Sequence, residues 1–225
     1  MPPPLVLWLA LVLASVVAGC GGSTSRRTKP KLIVEQTRLI YPVHGVPQAD
    51  AFAIVLVRNR SGKIAQYVAG RISLLDHQGR RLNHFETDSV TLAPHSEAVW
   101  QFPLKLSRPP ERVTFHVRFD VSGFRTGRRS PVSASRVRYR LTPGGNCIFT
   151  GVLSNRFTEP RENLELPIVG FVGSKLATAT IAYPKTLLPH EDQTFRAAIS
   201  APALCPRLTR VEVLPALDDG DIPHR

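Results

Sequence analysis

A turn of seven residues occurs twice in this chain, and it limits the fold more than any other feature. Thr91-Leu92-Ala93-Pro94-His95-Ser96-Glu97 returns as Thr186-Leu187-Leu188-Pro189-His190-Glu191-Asp192, with Trp100 and Phe195 at the same offset beyond it. Upstream, Val57-Arg58-Asn59-Arg60 matches Leu153-Ser154-Asn155-Arg156 at an offset larger by one residue. Downstream, Val113-Thr114-Phe115 corresponds loosely to Val211-Glu212-Val213. The order of turn and strand signals is therefore duplicated, which predicts a tandem pair and not a solenoid. Within each turn, proline sets φ, and the acidic residues that follow keep the tip solvated before the next strand buries its aromatic.

The stretches around these turns read as short strands. Lys31–Leu39 and Ala51–Arg58 are rich in β-branched residues and are separated by Pro42, Gly45 and Pro47. Tyr67–Leu75 alternates, placing Val68, Ile72 and Leu74 on a face that should be buried. Leu82–Leu92 is more polar and edge-like. Ala98–Leu106 follows, and then Arg112–Phe119, in which Val113, Phe115, Val117 and Phe119 alternate with Arg112, Thr114, His116 and Arg118. One face of that strand should be core and the other basic and wet. The twenty prolines of this 225-residue chain suit short strands and turns better than long helices. The expected fold class is all-β, as two tandem antiparallel Ig-like β-sandwiches.

Boundaries follow from composition. The first sandwich is expected over 31–120, a Ser-, Gly- and Arg-rich connection over 121–135, the second sandwich over 136–217 and a polar tail over 218–225. Cys147 opens the first strand of the second unit's core, and Cys205 precedes its last strand. A bridge between them closes a loop of about 59 residues, for which the chain-entropy relation gives about 4 kcal/mol. The alternative, two reactive thiols, lacks CxxC spacing and a charged local context.

The third cysteine ends an apolar run. Leu5–Ala18 is fourteen residues long, short of the roughly 20 that span a bilayer. It has the length of a signal-peptide core. Val17-Ala18-Gly19-Cys20 resembles the lipobox of bacterial lipoprotein signal peptides. That resemblance implies cleavage between Gly19 and Cys20, diacylglycerol on the Cys20 thiol, and a location on the extracytoplasmic side of a cell membrane. Residues 1–19 hold no Lys or Arg, whereas a basic leading segment is usual, so either the start lies upstream of Met1 or export tolerates its lack. Setting Cys20 aside leaves Cys147 and Cys205 as an even pair, as an oxidising compartment favours. Residues 20–30 are a Gly/Ser tether carrying Arg26, Arg27 and Lys29.

From Ile54 to Phe102 the chain resembles the FxLYD-type and related Ig-like modules of bacterial surface lipoproteins. The carrying residues are Val57-Arg58-Asn59, Tyr67-Val68, Leu75-Asp76 with Gly79, and Leu92-Ala93-Pro94 before an aromatic-bearing strand. The second unit departs by carrying Phe171-Val172-Gly173 where the Leu-Asp turn would stand. The resemblance implies an interaction or scaffold module in the cell envelope, with no catalytic residues to transfer.

The formal charge of +12 belongs wholly to the chain beyond residue 19. It marks either a solvated basic surface or contact with an anionic partner, for which Arg112, His116, Arg118, Arg125, Arg128 and Arg129 are the candidates. Basic residues with few interleaved aromatics disfavour nucleic acid. The expected partners are a membrane, through the lipid, and an unidentified envelope protein or anionic polymer. No GxSxG, HExxH or comparable motif occurs, so a non-catalytic role without cofactor is expected. An envelope hydrolase would need a site assembled from distant positions. His95 and His190 each stand without a second ligand at metal spacing, so exposed turns are expected there and no metal.

Overall fold

The computed structural model describes residues 32–41, 51–106, 112–126, 132–162, 164–199 and 204–214. The strands are β1 (Leu32–Ile40), β2 (Ala51–Asn59), β3 (Ile64–Leu75), β4 (Arg81–Glu86), β5 (Val90–Leu92), β6 (Glu97–Leu104), β7 (Thr114–Arg125), β8 (Val132–Leu141), β9 (Cys147–Asn155), β10 (Leu166–Val172), β11 (Lys175–Ala182), β12 (Asp192–Ile199) and β13 (Arg210–Val213). Among the described residues a 3-10 turn, Cys205–Arg207, precedes β13. The all-β fold class is as the sequence predicts. No helix among the described residues is long and apolar enough to cross a membrane.

Among the described residues all strand pairings are antiparallel and form four sheets. In the first half, β2 lies between β1 and β6, while β3 is flanked by β7 on one edge and by β4 and β5 on the other. In the second half, β9 lies between β8 and β12, and β10 between β11 and β13. Val55, Val57, Ala65, Val68, Ile72 and Trp100 fill the space between the first two sheets. Phe149, Leu153, Leu166, Ile168, Phe195 and Cys205 fill the space between the last two. The predicted core face of β3 is correct, since Val68, Ile72 and Leu74 are fully buried. Along β7 the predicted alternation also holds, with Phe115, Val117 and Phe119 turned inward and His116 and Arg118 exposed.

A third cluster joins the halves. Ile54, Leu56 and Val99, on the outer face of β1-β2-β6, pack with Val169, Phe171, Leu176, Ala179 and Leu214 from the β11-β10-β13 sheet and its C-terminal flank. The four sheets are thus stacked as layers, and the two central ones are buried on both faces. This explains why β2 (AFAIVLVRN) and β10 (LPIVGFV) are nearly continuous apolar runs instead of alternating ones. Gln36, at a bulge in β1, closes the edge of this contact. Its amide nitrogen donates to the Ser174 carbonyl (3.0 Å), and its amide oxygen accepts from the Leu176 N–H (2.6 Å).

The duplication is visible in register. Val55 pairs with Trp100 in β2–β6, and Gly151 pairs with Phe195 at the matching place in β9–β12. Sheet β1-β2-β6 therefore corresponds to β8-β9-β12, and the halves are stacked head to tail, the outer face of the first lying on the opposite kind of face of the second.

Two expectations need correction. The supposed connection over 121–135 is largely strand: β7 runs on to Arg125, paired with β3 along its whole length, and β8 already begins at Val132. Cys147 consequently opens the second strand of its half, not the first. The polar stretch Leu82–Leu92 is split into β4 and β5, both pairing with β3. The signal segment, Cys20, the tether and the C-terminal tail lie outside the described residues.

Candidate functional site

Each repeated turn is built on a buried asparagine. Asn59 ends β2 with its side-chain nitrogen 2.8, 3.1 and 3.0 Å from the carbonyls of Lys63, Leu92 and Ala93. Asn155 ends β9 with its nitrogen 2.8, 3.3 and 3.1 Å from the carbonyls of Glu159, Leu187 and Leu188. Both side-chain oxygens accept an N–H two residues on, from Ser61 and Phe157. The backbone N–H of each asparagine donates into the opposite turn, to Ser96 and Glu191. His95 and His190 hold φ of 58° and 56° at the equivalent tips. A positive φ shared by both copies belongs to the turn's construction and is no mark of a reactive histidine. Among the described residues no group of three or more His, Cys, Asp and Glu is placed to hold a metal ion.

A cleft of about 340 Å³ opens where the first repeated turn meets the second half, lined by His95, Ser96, Glu97, Val137, Glu212 and Val213 among others. Its serine and carboxylates are already engaged. The Ser96 hydroxyl donates to the Ala93 carbonyl (2.8 Å), Glu97 is ion-paired with its cross-strand partner Arg58, and Glu212 with Arg210 (3.0 Å). A serine nucleophile needs a base at its hydroxyl, and here that hydroxyl serves the turn.

The sequence-nominated basic residues divide. Arg112 is exposed just before β7; His116 and Arg118 share the outer face of β7, and Arg125 ends that strand. Arg128 and Arg129 lie outside the described residues. The face that His116 and Arg118 share is of mixed charge. Arg71, directly opposite Arg118, is paired with Asp120 (2.7 Å), and His84 lies 4.0 Å from Glu86.

A different basic face was not anticipated. On the outer side of β8-β9-β12, Arg138 and Arg196 flank Thr150, and Arg140 and Ala198 flank Ile148. All three arginines are exposed, and none has an ion-pair partner among the described residues. The signal is present as alternating Arg in Arg136-Val137-Arg138-Tyr139-Arg140, inside the span expected for the second sandwich but not read there as a strand.

Cys147 and Cys205 are bridged, both fully buried, with Cα atoms 5.6 Å apart. The bond ties the start of β9 to the turn before β13, and it resolves the choice between a structural disulfide and two reactive thiols.

Comparison with known proteins identifies no family. No family model matches the chain, and no curated protein matches it. Among solved structures, the exo-chitosanase CsxA of Amycolatopsis orientalis is 13% identical over 80% of this chain with a TM-score of 0.25. Red sea bream transglutaminase is 14% identical over 79% of the chain with a TM-score of 0.26. The chain spans 26% and 28% of those two proteins. The tandem CBM22-1-CBM22-2 domain of Paenibacillus barcinonensis Xyn10C is 7% identical over 86% of this chain and 88% of its own, with a TM-score of 0.19. Similarity this distant carries no argument about function.

Proposed function

We propose that this protein is a non-catalytic binding or scaffold module, lipid-anchored through Cys20 on the extracytoplasmic side of a bacterial cell membrane. The observation that carries the reading is the disposition of the three cysteines. Cys147 and Cys205 are consumed by a buried disulfide, which suits an oxidising compartment. The one thiol left is Cys20, at the end of a fourteen-residue apolar run and in the sequence Val17-Ala18-Gly19-Cys20. Two acyl chains hold a protein stably at a bilayer, where one is marginal. The tether then lets the stacked sheets stand off the surface. The cleft's serine and carboxylates are held by hydrogen bonds and ion pairs of the fold, which supports a binding role over a hydrolytic one.

The test is fractionation together with metabolic labelling by a fatty acid. Wild-type protein should carry label and sediment with membranes, and Cys20→Ser should lose the label. A Cys20→Ser protein that retains label would overturn the anchor.

A further inference from the structure

We infer that the outer face of the β8-β9-β12 sheet is a binding surface for a linear, phosphate-bearing polyanion. Three observations converge on that face. First, Arg138, Arg140 and Arg196 project from one open sheet surface, and Asp192, at its far end beside Arg156 (3.6 Å), is the sole acid among the strands' outward residues. Strand spacing and rise put Arg138 about 10 Å from Arg196 across β9 and about 7 Å from Arg140 along β8. Second, the same face carries hydroxyls, with Thr150 between Arg138 and Arg196 and with Ser133, Ser135 and Thr194 further along, beside the outward Ile148 and Val152. A chain lying across it would meet guanidinium forks suited to bidentate phosphate contacts, with hydroxyls beneath for its other oxygens.

The third observation comes from the duplication. The corresponding face of the first half carries Ile54, Leu56 and Val99, and it is where the second half docks. In the second half those places hold Thr150, Val152 and Thr194, and Gln101 is replaced by Arg196. The same flat sheet that serves as an apolar interface in one copy is thus polar and basic in the other. It cannot accept a further copy of the apolar face, so the stack ends there, and its charge selects an anion. A polymer fits better than a membrane surface. Docking to a bilayer places exposed large apolar side chains between the basic ones, whereas here Thr150 lies between Arg138 and Arg196, and Ile148 beside Arg140 is buried. The opposite end of the stack is of mixed sign, with Arg71 paired to Asp120 and His84 near Glu86 beside the exposed Arg118.

The inference names a partner for the binding module proposed above, and its test is separate from that of the anchor. Full-length protein in neutral detergent would be titrated with fluorescently labelled poly(glycerol phosphate) at two salt concentrations, in parallel with vesicles of phosphatidylglycerol and phosphatidylcholine. Replacing Arg138, Arg140 and Arg196 together by Gln should weaken polymer binding by at least about tenfold and reduce the salt slope by about 2. The triple Lys variant should recover part of the loss. Arg71→Gln with Arg118→Gln, on the opposite end, should change little. Equal binding by the triple Gln variant, or an equal loss in the Arg71/Arg118 variant, overturns the assignment. Loss confined to the vesicle arm overturns it in favour of a membrane surface. An unchanged thermal transition in the triple variant shows that the fold is intact.

Discussion

Asn59 and Asn155 do the same work 96 residues apart: each ends a strand, lies fully buried, and ties the carbonyls of its half's repeated turn together. Backbone carbonyls left without partners in the interior cost about 1–3 kcal/mol each. Asn59→Ala and Asn155→Ala should therefore each lower unfolding free energy by about 2–4 kcal/mol in urea titration. Asn→Asp should be at least as harmful, because it replaces the donor with an acceptor facing carbonyls. A loss below about 0.5 kcal/mol at either position would show that the amide is dispensable.

Glycine serves the two aromatics of the repeat by different routes. A Cβ on Gly151 would stand 2.6 Å from the ring of Phe195, its cross-strand neighbour. One on Gly70 would stand 2.6 Å from Trp100, which reaches it from the other sheet. Gly151→Ala and Gly70→Ala should each cost about 1–3 kcal/mol through overpacking. Gly151→Ala combined with Phe195→Leu should recover part of that loss, whereas Gly70→Ala with Phe195→Leu should be additive. A double-mutant cycle with no coupling between 151 and 195 would contradict the contact.

Much of this architecture was legible because period-2 alternation survives wherever one face is wet. Val68, Ile72 and Leu74 in β3, and Phe115, Val117 and Phe119 in β7, were assigned to the core on that basis and lie there. The missed strand β8 shows why the rest was harder to see. A bulge between Ser135 and Arg138 shifts the phase, so Val132 and Ala134 face inward on one parity and Val137 and Tyr139 on the other. Alternation is broken at the point where the three-arginine face begins. The end of β7 was lost for another reason: Asp120–Arg125 has weak propensity and is held as strand by its pairing with β3. The face-to-face contact of the halves left its trace in the unbroken apolar runs of β2 and β10, which alone do not say what covers the second face.

Asp76 gives the turn between β3 and β4 an acid sensitivity. Burial pushes its carboxyl upward, but the Arg80 side chain at 2.8 Å, the N–H groups of Arg80 and Gln78 and the Arg80 charge outweigh that. The net direction is below the ordinary value of 3.8. A depressed folded pKa contributes stability that is fully present above the unfolded value and is lost as pH falls through the folded one. Wild-type protein should therefore lose Tm below about pH 4 more steeply than Asp76→Asn, while being the more stable of the two at neutral pH. Parallel curves for the two proteins would remove Asp76 from the acid transition.

The shared cluster makes a prediction about cooperativity. Leu176 belongs to β11 in the second half, yet it is buried with Ile54, Leu56 and Val99 of the first. Trp100 lies in the first half, between β2 and β3, and is the only tryptophan after Cys20. Truncating Leu176 to Ala should cost about 2–5 kcal/mol. If the halves unfold together, that loss must appear in the Trp100 fluorescence transition as fully as in far-UV circular dichroism, although the substitution is in the other half. A Trp100 midpoint unmoved by Leu176→Ala, with a shifted second transition in the dichroism, would mean that the halves unfold independently. Gln36→Ala should act in the same direction and more weakly, because it removes the two hydrogen bonds that bind β1 to Ser174 and Leu176 but leaves the apolar contact in place.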